Sequence, residues 1–76
     1  MGRERRILGT LHARFLGTTR GVFTLADGQQ VEVEGAIQFE AAGSPAPGEK
    51  AFILMDDSGR PLRWEPYPRL QPDERP

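Results

Sequence analysis

The chain contains no cysteine and no asparagine, one histidine (His12), and one lysine (Lys50) beside nine arginines. The missing cysteine excludes disulfides, thiolate metal sites and cysteine nucleophiles together. A single imidazole excludes any zinc site that needs two. No apolar run reaches the roughly 18–20 residues of a membrane-spanning helix. No charged-then-apolar leader pattern precedes the first strand. The expectation is a cytoplasmic protein with no membrane partner. Phosphate chemistry lacks its usual signature, since no glycine-rich loop carries a lysine. The paired acids Asp56 and Asp57 lack the calcium-loop spacing; beside Ser58 and Gly59 they read as turn formers, because Asp side chains cap local N–H groups. Ser44 and Ser58 both sit in Gly/Pro-type turns, away from any arrangement that would make a nucleophile with His12. The sequence therefore reads as a non-enzyme with no cofactor and no metal.

What the chain does have is glycine and proline, 9 and 7 of its 76 residues. That density of breakers argues against a helical bundle and for short strands with tight turns. A chain of this length makes one domain with a thin core. The formal net charge of -1 conceals a strong asymmetry. Residues 1–20 carry a net +4, residues 21–59 a net -6 and residues 60–76 a net +1. The basic start and the acidic middle point to different classes of partner. The arginine bias also accompanies an abundance of Gly, Ala and Pro, as a GC-rich genome would produce.

Five segments carry strand periodicity. Residues 7–16 place Leu11, Ala13 and Phe15 on one face and Thr10, His12 and Arg14 on the other. Residues 22–25 turn Phe23 and Leu25 inward. Asp27-Gly28 marks a hairpin, because a primed turn needs positive φ. Residues 31–41 then alternate longest, with Val31, Val33, Gly35, Ile37, Phe39 and Ala41 on one side and Glu32, Glu34, Gln38 and Glu40 on the other. Gly35 in the middle suggests a bulge or sharp bend. The alternative for 36–42 is a short helical turn closed by Gly43. After a flexible loop at 42–48, residues 50–55 are apolar enough to be covered on both faces. A turn at 56–59 leads to residues 61–65, an edge-like strand opened by Pro61.

Short connections between strands one and two, two and three, and four and five, with a longer one between three and four, describe a small antiparallel barrel. The fold class is all-β, a five-stranded barrel of the OB type, with an SH3-like barrel as the alternative. The organisation is a basic N-terminal arm (1–5), the barrel domain (6–65) and a proline-rich C-terminal tail (66–76).

The order of residues resembles a known family. Gly9-Thr10-Leu11, Phe15, Arg20-Gly21-Val22-Phe23, Asp27-Gly28, Val31-Glu32-Val33 and Ala36-Ile37 resemble the first half of the bacterial cold-shock domain. Gly48-Glu49-Lys50-Ala51-Phe52 and Gly59-Arg60-Pro61 resemble its second half. Over 21–65 the chain is nearly as similar to the bacterial translation initiation factor with an S1-like OB domain. Either resemblance implies an OB barrel that binds single-stranded nucleic acid. In the cold-shock domain, aromatic rings on strands two and three stack the bases. Here the corresponding outward positions are Val22, Thr24, Glu32 and Glu34, so the aromatic platform is missing.

Two partners follow. The first is RNA or single-stranded DNA, held by arginine–phosphate contacts. Its candidate residues are Arg5, Arg6, His12, Arg14, Arg20, Arg60 and Arg63, with Trp64 as either a stacking ring or a cap on the barrel end. The second is a protein, met by the acidic pair Glu32 and Glu34 or by the tail through Tyr67 and Leu70.

Overall fold

The computed structural model describes residues 4–67. Five antiparallel strands follow in chain order: β1 (Arg5–Arg14), β2 (Arg20–Leu25), β3 (Gln30–Glu34), β4 (Lys50–Met55) and β5 (Pro61–Pro66). Their order in the sheet is β3-β2-β1-β4-β5. The sheet curls into a half-barrel, so that β3 meets β5 through a parallel bridge between Gly35 and Trp64. This is consistent with OB-fold-like topology. Residues 1–3 of the basic arm and residues 68–76 of the tail, Leu70 among them, lie outside the described residues.

β1 is the hub because it is long enough to serve two partners. Residues 5–10 pair with β4 and residues 9–14 pair with β2. Gly9 lies at the handover, where a Cβ would stand 3.0 Å from Cγ1 of Ile53. A strand that curls tightly over its own core needs such a bare position.

Two departures from regular pairing shape the molecule. In β1 the register slips between Leu11 and Ala13, so that His12 is an extra residue opposite Val22. A bulge of this kind bends the strand and flips the alternation beyond it. The second slip, between Leu54 and Met55 of β4, leaves Leu62 as the extra residue in β5.

β3 ends at Glu34, well short of the strand through residue 41 that the alternation suggests, and residues 36–42 form turns with no helix. The facing pattern nevertheless continues: Ile37 packs against the core and Phe39 is buried in it. The chain stops being a strand because it crosses the barrel end at Gly35 and drops Phe39 in as a plug. The Phe39 N–H donates to the Thr18 carbonyl at 3.2 Å, and the Ser44 hydroxyl donates to the Phe39 carbonyl.

The core consists of Leu11, Phe23, Val33, Phe39, Ala51, Ile53, Met55 and Trp64. Trp64 is its centre. The indole stacks on Phe39 with centroids 5.0 Å apart and tilts against Phe23 at 5.9 Å. Such aromatic pairs add to simple area burial. Leu54 is also buried but faces outward, opposite Arg6 on β1 and Arg63 on β5. β4 is therefore covered on both faces, the outer cover coming from the stems of long charged side chains.

Candidate functional site

The outer face of β1, β2 and β3 is where the cold-shock resemblance places a ligand. Its geometry starts from the bulge at His12. Without the bulge, Phe15 would share the inner face with Leu11. With it, Phe15 sits opposite Arg20, its N–H donating to the Arg20 carbonyl at 3.1 Å. Arg20 is in turn paired with Glu34. The Phe15 ring is thus turned out, 43% exposed, where alternation alone places it inside. Leu16, next to it, is 63% exposed. Phe15, Thr18, Thr19, Arg20, Glu32 and Glu34 line a shallow groove of about 390 Å³.

The floor of this groove is an ion pair. Arg20 reaches Glu34 at 2.8 Å and Glu32 at 3.3 Å. The hydrogen bond to Glu34, then its charge and that of Glu32, push the Arg20 guanidinium above its already high ordinary value. Arg20, charged as any arginine is, is already bonded to two carboxylates. It is not a bare cation awaiting a phosphate.

The loop that presents Phe15 and Leu16 is held from several sides. The Thr18 hydroxyl donates to the Phe15 carbonyl at 2.6 Å, and the Arg20 N–H donates to the Thr18 hydroxyl at 3.1 Å. The Gly17 N–H donates to Glu40 at 2.6 Å. From below, the Trp64 indole N–H donates to the Thr19 carbonyl at 2.6 Å. An apolar ring held in place before binding loses little freedom on contact, which favours it as an anchor.

The other candidate residues do not converge on one stripe. Arg5 and Arg6 lie at the start of β1, and Arg60 and Arg63 lie around the start of β5. Arg14 is at the far end of β1, roughly 30 Å of strand path from Arg5. Arg6 sits 5.1 Å over the Phe52 ring and 3.9 Å from Glu65. Arg63 lies 3.6 Å from Glu4 and 3.7 Å from Glu65. Glu4, Arg6, Arg63 and Glu65 make a cross-strand charge network beside Leu54, which pairs with Arg6 and Arg63. His12 is exposed at the bulge, and Arg14 is exposed opposite Gly21, in the row whose inner side Phe39 fills. Among the described residues Arg5, Arg14 and Arg60 form no ion pair.

Trp64 lies in the core and not on the surface. Its ring is fully buried and offers no face to a nucleic-acid base. Burial follows from position: the glycine at 35 lets the β3 backbone lie directly on the indole. Tyr67 is 43% exposed and tilts against Phe52, with centroids 5.1 Å apart. Phe15 is the residue that strand alternation misses, because the register slip at His12 comes between it and Leu11; Leu16, on the even side with His12 and Arg14, is exposed as alternation places it.

Among the described residues no group of three or more His, Cys, Asp and Glu could hold a metal ion. Ser44 and Ser58 donate to the Phe39 carbonyl and to Asp56, and neither bonds to His12. No helix among the described residues is long and apolar enough to cross a membrane. Comparison of the chain with protein-family models, with curated proteins and with solved structures finds no match.

Proposed function

We propose that this protein is a non-enzymatic protein-interaction module, an OB-like scaffold whose β1–β2–β3 outer face meets a basic patch on a partner protein. The observation that carries this reading is the exposed Phe15, set beside Glu32 and Glu34 by a loop that is tied to the core. An exposed aromatic ring with a charged rim has the anatomy of an interaction hot spot. The competing reading, RNA or single-stranded DNA bound through arginines, is less well supported on this face. Arg20 is bonded to two carboxylates there, and those carboxylates would repel phosphate. Arg6 and Arg63 are likewise in ion pairs, and Trp64 is buried.

A photo-crosslinking amino acid at position 15, with another at Asp57 as a distant surface control, tests the proposal in the producing cell. Crosslinks to protein at position 15 and none at position 57 are expected. In parallel, labelled single-stranded RNA and DNA are titrated at low and moderate salt. A nucleic-acid binder shows affinity that falls steeply with salt. Such binding, weakened by Arg14→Ala and with only nucleic acid crosslinked at position 15, would overturn the proposal.

A further inference from the structure

The Arg20 contact suggests what the groove recognises. A guanidinium already lies between the Glu32 and Glu34 carboxylates, one edge toward each, beside the half-exposed Phe15 ring. All three charged side chains are about half exposed or more. An ion pair that open to water holds its partners weakly and exchanges readily. Charge also favours an incoming cation. Among the residues that line the groove two are acidic, Glu32 and Glu34, and one is basic, Arg20. A planar guanidinium suits this site better than an ammonium, because it can bond to carboxylates along two edges and stack on a ring face.

We propose that the groove is a guanidinium subsite, occupied in the free protein by Arg20 and taken over in the complex by an arginine side chain of the partner. Arg20 is then a built-in competitor. Its removal strengthens the binding of an arginine-bearing segment, where a direct phosphate or partner contact by Arg20 would make removal weaken it. The proposal rests on the protein-interaction reading above and adds to it the chemistry of the contact.

The test uses the full chain labelled with nitrogen-15 and two capped hexapeptides. One alternates leucine and arginine. The other replaces each arginine with citrulline, which has the same shape without the charge. For the native protein the arginine peptide is expected to shift the amide signals of Thr18, Thr19, Glu32 and Glu34 at low salt, and the citrulline peptide much less. Arg20→Gln is expected to bind the arginine peptide about two- to fivefold more tightly, the range that exposed ion pairs of this kind span. Glu32→Gln/Glu34→Gln is expected to lose the preference for arginine over citrulline while keeping a native spectrum. Unchanged or weaker binding by Arg20→Gln would overturn the proposal. Equal shifts from both peptides at the groove would also overturn it, leaving the protein-interaction reading in place. If neither peptide moves the groove signals and single-stranded RNA does, both readings fall.

Discussion

The indole N–H of Trp64, on β5, donates to the carbonyl of Thr19 in the β1–β2 loop at 2.6 Å, joining residues 45 positions apart. This one bond connects the buried core to the surface that carries Phe15. Trp64→Phe keeps an aromatic ring but leaves the Thr19 carbonyl without its donor. The expected cost is about 1–3 kcal/mol, from the lost bond and the reduced packing. Hydrogen exchange at residues 17–20 checks the linkage. Those amides should lose protection more than the β4 amides do, and partner binding should weaken although no surface residue has changed.

Gly35 tests the closure of the half-barrel. A Cβ there would fall 1.8 Å from Cε2 of Trp64, a contact that neither backbone nor indole can accept. Gly35→Ala should therefore destabilise by about 1–3 kcal/mol or more, as overpacked cores do. Urea unfolding measures it. Gly28→Ala is a useful contrast, because that site has open space around it and only the strain of its φ of 88°.

Phe15 and Phe39 separate function from stability. Phe39 is buried against Trp64, so Phe39→Ala should cost about 3–5 kcal/mol. Phe15 is 43% exposed, and Phe15→Ala should change stability by about 0.5 kcal/mol or less while abolishing crosslinking or peptide binding in the groove. Paired urea titrations and binding measurements on the two variants decide this.

Asp56 gives a pH dependence with a defined sign. One of its oxygens accepts from the Ser58 N–H, the Ser58 hydroxyl and the Arg60 N–H, at 3.0, 2.7 and 2.9 Å. The Ser58 hydroxyl bond, followed by the Arg60 backbone bond, lowers its pKa below the ordinary 3.8. A depressed carboxylate stabilises the fold fully above the unfolded value and loses that contribution as pH falls through the folded one. Asp56→Ala should accordingly lower the urea midpoint at neutral pH, and the gap from the native protein should narrow only below about pH 4. Denaturation curves at pH 7 and pH 3 measure the two gaps.

Local chemistry was enough to make much of this protein legible. The five strands, the β4 boundaries and the place of the Asp27-Gly28 hairpin follow from period-2 alternation and turn residues, which act between neighbours in the chain; the turn itself is not the expected primed pair, since Gly28 alone has positive φ and its N–H donates to the Leu25 carbonyl. The core-facing set Val31, Val33, Ile37 and Phe39 is legible for the same reason, even though the strand itself stops at Glu34. Pairing between distant segments decided the rest. The bulge at His12 depends on how β2 registers against β1, and it alone turns Phe15 outward. Whether Trp64 is a cap or a recognition ring depends on Gly35 and Thr19, which reach it only after the sheet has curled. Whether an arginine is bare or bonded depends on which acid lies across the sheet from it. Alternation along one strand contains no information about that neighbour, so the charge asymmetry visible in the sequence acquired its meaning only when Arg20 came to rest between Glu32 and Glu34.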